Sequence, residues 1–185
     1  LYNLFFRLHL LLSYVKNKSI LPWAAYTTLS FCFTFVPRMI QLDIDGIELK
    51  LRRVEDKTQV FDPIRKKWLV LTPEEHVRQY VLQYMMDKLQ YPQALLSVEK
   101  QIMVGSLSRR FDIVLYDRNH RPWMLVECKA PDVPISERTL HQLLQYHSTM
   151  QCPYWVLSNG PQTYCADACD VTNIKWLDAL PAYKG

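Results

Sequence analysis

Glycine is scarce in this chain of 185 residues; Gly46, Gly105, Gly160 and Gly185 are the whole set. None of them opens a G-x-x-x-x-G-K-[ST] or G-x-G-x-x-G run. The chain therefore carries neither a P-loop motor nor a Rossmann dinucleotide site, since both need glycine where the backbone closes on phosphate. Paired cysteines are missing too. Cys32, Cys128, Cys152, Cys165 and Cys169 are odd in number and lack the spacing of a secreted disulfide framework. Cys152, Cys165 and Cys169 could offer three zinc ligands, but no C-x-x-C pair accompanies them. Reduced thiols in a cytoplasmic protein are the preferred reading.

Negative charge is absent from the first 38 residues, and this reshapes the net charge of +4. Residues 1–38 hold Arg7, Lys16, Lys18 and Arg38 without one Asp or Glu, which leaves residues 39–185 balanced at 18 basic and 18 acidic. Bulk charge thus gives no support for nucleic-acid binding, and any such surface must come from local clustering. What is present suits one globular α/β domain: 49% hydrophobic and 22% charged residues, enough to bury a core.

The leader differs from the rest. Residues 19–37 carry no charge and are long enough to span a membrane, although Pro22, Thr27, Thr28, Ser30 and Thr34 make a poor span. Three readings stand for residues 1–38: an over-extended gene start before Met39, a membrane or export segment, or a genuine extra helix. Residues 39–185 form the expected domain. A short hairpin is expected around residues 63–66. Thr72-Pro73-Glu74-Glu75 then starts a helix, with Thr72 as N-cap, Pro73 at N1 and Glu75 completing a capping box. Val77, Val81, Tyr84 and Met85 give it one buried face, to about Lys88. Strands are expected at 96–104, 111–116 and 123–129, with a polar turn at 105–109. A helix at 135–150, a strand at 154–157 and edge strands near 163–164 and 171–176 complete the order.

Two carboxylates and a lysine converge in that order. Asp112 opens one strand, and Glu127-Cys128-Lys129 closes the next. Residues two apart on a strand share a face, so Glu127 and Lys129 point together and Cys128 points away. In a hairpin the start of the first strand lies beside the end of the second, which places Asp112 with them. Such a patch suits Mg²⁺, with Mn²⁺ as a substitute: hard oxygen ligands for the cation, and a lysine to orient water or offset charge on a phosphoryl group. Surface ion pairing is the plain alternative. Val98-Glu99-Lys100 shows how cheaply an E-x-K near-match arises.

Residues from about 60 to 160 resemble the N-terminal nuclease domain of type I restriction enzyme R subunits, a branch of the PD-(D/E)xK superfamily. The likeness rests on Leu71-Thr72-Pro73-Glu74-Glu75-His76-Val77-Arg78-Gln79, Arg110-Phe111-Asp112-Ile113-Val114 and Leu125-Val126-Glu127-Cys128-Lys129-Ala130-Pro131. Gln142-Leu143-Leu144-Gln145-Tyr146 and Leu157-Ser158-Asn159-Gly160 follow. The resemblance implies a restriction-endonuclease-like core, a central mixed β-sheet flanked by helices in the order α-β-β-β-α-β. It implies Asp112 and Glu127 as metal ligands and Lys129 as the catalytic lysine. Gln142 and Tyr146 match a Q-x-x-x-Y pair that contacts DNA phosphate or positions Lys129. Glu75 matches the upstream acid of such sites, a further candidate metal ligand, though the capping box also explains it. Arg109 and Arg110 are either phosphate contacts or a solvated basic turn.

Type I R subunits continue into an ATP-driven translocase, and no motor sequence is present in this chain. The expected function is a Mg²⁺-dependent endodeoxyribonuclease acting on DNA. A restriction-modification partner such as a helicase or translocase, and a homodimer, are the other expected associations; a membrane enters only if residues 1–38 are genuine. The competing expectation is a catalytically inactive nucleic-acid-binding module of the same fold.

Overall fold

The computed structural model describes residues 38–104, 107–136, 152–170 and 174–183. Three short strands come first: β1 (Leu51–Val54), β2 (Lys57–Asp62) and β3 (Lys67–Val70). They form an antiparallel sheet of their own, with Val60 opposite both Leu51 and Leu69. The expected hairpin around residues 63–66 is the β2–β3 turn.

Helix α1 (Pro73–Asp87) follows at once. Thr72 caps it, its side chain accepting from the Glu75 N–H at 3.1 Å, and Pro73 occupies the first turn, where a missing N–H costs nothing. One face buries Val77, Val81, Leu82 and Met85. Each such side chain contributes roughly 1.5–3 kcal/mol on burial. Propensity and caps only nucleate the helix; this face anchors it.

A 3-10 turn (Gln93–Leu95) leads into the main sheet: β4 (Leu96–Val104), β5 (Leu107–Tyr116), β6 (Pro122–Cys128), β7 (Tyr154–Ser158), β8 (Thr163–Asp167) and β9 (Lys175–Leu177). Their order in space is their order in sequence. All neighbours are antiparallel except β6 and β7, which run parallel with Val126 opposite Val156. The sheet is therefore mixed, and the architecture is broadly α/β. A parallel pair needs a crossover connection, and residues 129–153 supply it. The helix expected at 135–150 falls there: residues 135 and 136 are not helical, and 137–150 lie outside the described residues. Among the described residues one α-helix flanks the sheet.

The sheet buries both faces. Ile113, Leu115, Met124, Val126, Cys128 and Val156 pack with the α1 residues in one core cluster. Phe111, Val114, Leu125, Trp155 and Leu157 form a second. Ile40 N donates to Thr163 O at 2.8 Å, so the segment before β1 lies against β8. Among the described residues no helix is long and apolar enough to cross a membrane.

One expected boundary moved. The polar stretch 105–109 reads as a turn, but β5 already begins at Leu107. Ser108, Arg109 and Arg110 pair with Met103, Ile102 and Gln101 of β4. The β4–β5 hairpin simply outruns β6, so its strand ends need no apolar residues on both faces. Asp112 consequently sits within β5, not at its start.

Candidate active site

The hairpin register brings the acids together. Ile113 lies opposite Val126, and one step further along are Asp112 and Glu127. Here β6 stops while β5 continues against β4, which leaves Asp112 at an opening in the sheet. Lys129 follows β6 directly. Its N–H donates to Ser158 O at 2.9 Å, continuing the alignment of β6 on β7. That bond fixes the lysine backbone, and its Nζ donates to Glu127 Oε1 at 2.6 Å. The turn after β7 is held by Gly160, whose φ of +91° needs a residue without a Cβ.

Electrostatics at this patch are strained in one direction. Burial, and next to it the charge of Asp112, push the Glu127 carboxyl up to about 7, against the pull of Lys129. Burial works to lower the Lys129 ammonium, but its hydrogen bond to Glu127 and the nearby acids overcome it and hold its pKa above the usual lysine value. Asp112 is clamped on both oxygens. Oδ2 accepts from the Cys128 N–H at 2.7 Å, and Oδ1 accepts from Arg78 Nη2 at 2.6 Å and Nε at 3.2 Å.

Arg78 leads into a buried ionic network that sequence reasoning missed. It lies on α1, almost fully buried, and pairs with Glu74, Glu75 and Asp112. Burial acts to lower its pKa, yet Asp112 and Glu75 raise it overall, so it stays charged. Arg65, from the β2–β3 turn, binds Asp62 at 2.6 Å, Glu75 at 2.6 Å, and Glu99. Asp62 is fully buried and also accepts from the backbone N–H groups of Ile64 and Arg65 and from Gln79 Nε2. Glu99 belongs to the near-match that looked like chance. It lies on β4, opposite Asp112 of β5 and between the pairs Val98–Ile113 and Lys100–Phe111, at a φ of +50°. A non-glycine residue held there is strained by about 1 kcal/mol or more. Its carboxylate faces Arg65, Arg78 and Arg110.

Glu75 plays a different part from the one expected. Its backbone N–H serves the cap, but its side chain does not return to Thr72, whose N–H bonds Val70 O instead. The carboxylate turns inward to Arg65, Arg78 and Gln79. A capping box is thus only half formed. Arg110 is exposed on β5 and reaches Glu99 at 3.6 Å. Gln142 and Tyr146 lie outside the described residues. A signal for the network existed: Glu74, Glu75, Arg78 and Gln79 recur at helical spacing on the turn of α1 nearest Asp112.

Among the described residues no group of three or more His, Cys, Asp and Glu side chains is gathered to hold a metal ion. Cys152 and Cys165 are buried and Cys169 is exposed, all as thiols outside any disulfide. The Asp112–Glu127 pair is nonetheless the donor set that Mg²⁺ commonly takes, one or two carboxylates with water completing the shell. Mutual repulsion in a buried place is what a divalent cation relieves, so the two residues fit such an ion. Glu75 could join it only by giving up Arg65 and Arg78.

Residues 73–181 match the family described as the type I restriction enzyme R protein N terminus. The chain belongs to that family. The match begins at the first residue of α1 and runs through β9, so it spans the whole main sheet and every candidate site residue. The three-stranded sheet lies outside it. Among solved structures, the chain is similar to a fragment described as an HsdR subunit of a type I restriction enzyme from Vibrio vulnificus YJ016. The identity is 17%, over 60% of this chain and 24% of that one, with a TM-score of 0.45. The chain thus spans about a quarter of that relative's length. No curated protein matches the sequence.

Proposed function

We propose that this protein is a metal-dependent nuclease that hydrolyses phosphodiester bonds in DNA, with Asp112, Glu127 and Lys129 as its catalytic set and a PD-(D/E)xK core as its scaffold. One observation carries the reading: two acids, one with a raised pKa, meet a charged lysine at an opening in the sheet. Family membership supports it. Surface ion pairing would place these groups in water, not in a core where Glu127 is buried and repelled by Asp112.

Asp112 and Glu127 would hold Mg²⁺ or Mn²⁺. A bound divalent cation supplies Lewis-acid polarisation of the phosphoryl oxygen and acidifies a bound water. The rest belongs to the chain. Lys129 remains protonated beside Glu127, so it acts as a fixed cation that offsets charge building on the phosphoryl oxygens, rather than as the base. Arg78 is a positioning residue: its fork holds Asp112 Oδ1 while the Cys128 N–H holds Oδ2. Gln142 and Tyr146 are assigned to phosphate contact or to placing Lys129. DNA is the partner this chemistry implies; a translocase-type restriction-modification partner and a homodimer extend the proposal.

The test is a Mg²⁺ titration of wild type and Asp112→Asn against supercoiled, linear, single-stranded and branched DNA. Cleavage of at least one form by wild type alone is expected. No cleavage by wild type with Mg²⁺ or Mn²⁺ favours the second reading, an inactive nucleic-acid-binding module of the same fold. The occupation of Asp112 by Arg78 favours that second reading.

A further inference from the structure

We infer that the three-stranded sheet is a docking surface for the phosphate backbone of duplex DNA. Val60 and Asp62 are buried on one face of β2, so their neighbours define the other. That outer face carries Lys50, Arg52, Val54, Lys57, Gln59, Phe61, Trp68 and Val70 by register. No Asp or Glu occupies it. Lys50 Nζ stands 5.2 Å from the Phe61 ring centre and 5.8 Å from that of Trp68; the Arg52 guanidinium stands 4.2 Å from Trp68. Arg52 Nε also donates to Gln59 Oε1 at 2.8 Å.

The basic excess of the domain falls in residues 50–70, and three of those cations, Lys50, Arg52 and Lys57, lie on the outer face. Residues 50–70 hold seven basic and three acidic residues, whereas the remainder of 39–185 holds 11 basic and 15 acidic. Of those three acids Asp62 is buried against Arg65, and Glu55 and Asp56 sit at the β1–β2 turn. The neutral domain therefore has a positive end and a more negative body. Val54 and Val70 are also exposed on this face.

The occupant follows from how the cations are held. Two of them lie over aromatic faces, which covers the rings and leaves charge, not π-surface, to the outside. A stacking platform for single strands needs bare rings. Preordered cations on one sheet face instead suit the regular phosphates of a duplex, and counterion release then drives binding. The opposite, buried face of the sheet meets the network behind the candidate site: Asp62 ends β2, and Arg65 joins it to Glu75 beside Arg78 and Asp112. The inference extends the nuclease reading by placing its DNA.

The test is fluorescence anisotropy of the full chain with a short fluorescein-labelled duplex in EDTA, over a salt series, with the single strand measured alongside. Lys50→Glu with Arg52→Glu should weaken duplex binding roughly tenfold or more and lower the salt slope by about two. Trp68→Leu keeps every charge and should cost about threefold with the slope unchanged. Arg118→Glu with Lys175→Glu, exposed sites elsewhere, is the equal-charge control. Circular dichroism reports folding, and Lys57→Glu alone carries the test if the double variant does not fold. Equal losses in both double variants, tighter binding of the single strand, or no duplex binding by wild type at low salt would overturn the inference. EDTA separates binding from cleavage: a protein that binds through this sheet but never cuts keeps this inference and loses the nuclease reading. One that cuts without using the sheet does the reverse.

Discussion

Replacing Glu127 by glutamine should stabilise the fold, by an amount that depends on pH. Glu127 rises from the ordinary 4.5 to about 7, chiefly through burial and then through Asp112. Ionising it in the native state therefore costs up to roughly 3 kcal/mol near pH 8 relative to the unfolded chain. The sign follows from proton counting. Between about 4.5 and 7 the native state binds more protons than the unfolded state, so this residue's contribution to stability falls as pH rises. Below about 4.5 the acid is neutral in both states and resembles the amide. Glu127→Gln should thus match wild type at low pH and exceed it by up to roughly 3 kcal/mol at pH 8. The pull of Lys129 is already contained in that net rise, so its loss takes nothing further from the gain. Urea melts of both proteins between pH 4 and 8 measure the gap directly. A gap that stays flat with pH, or a wild type more stable at pH 8, refutes the electrostatic account of the site.

Mg²⁺ should raise the melting temperature of wild type at pH 8 and leave that of Asp112→Asn unchanged, because only the former offers two anionic carboxylates; differential scanning fluorimetry reads both. Asp62→Ala should destabilise by about 3 kcal/mol in chemical denaturation, since it strands Arg65, Gln79 and two backbone N–H groups in a buried place. Thr72→Ala removes only the α1 cap and should cost about 1 kcal/mol by the same assay, without changing metal-dependent stabilisation.

The fold was legible in the sequence where local chemistry and periodicity agree. Thr72-Pro73 announces α1, and the apolar spacing of Val77, Val81 and Met85 gives its buried face. Apolar runs at Leu125-Val126 and Val156-Leu157 mark central strands buried on both sides. Asp112, Glu127 and Lys129 were legible because strand periodicity and hairpin register are local rules, and the structure brings the three together. The pairs that join the ionic network across elements were not, because those partners lie far apart in sequence. Arg65 meets Glu99 across 34 residues and Arg78 meets Asp112 across 34. Glu75 shows the limit of a local rule: the capping box satisfied the sequence pattern, but buried Arg78 and half-buried Arg65 take its carboxylate, and the cap N–H bonds Val70 O instead. The polar run before Asp112 misled for a related reason. A hairpin that extends past its neighbours tolerates polar strand residues, and composition alone cannot tell these from a turn.

Cleavage of supercoiled plasmid by wild type and Lys129→Ala, purified in parallel and assayed with Mg²⁺, tests the central claim most directly. The account predicts nicked or linear product from wild type, none after EDTA, and a loss of about 100-fold or more in the variant, as expected when a charge-stabilising group is removed from a site. Equal cleavage by both proteins would contradict it.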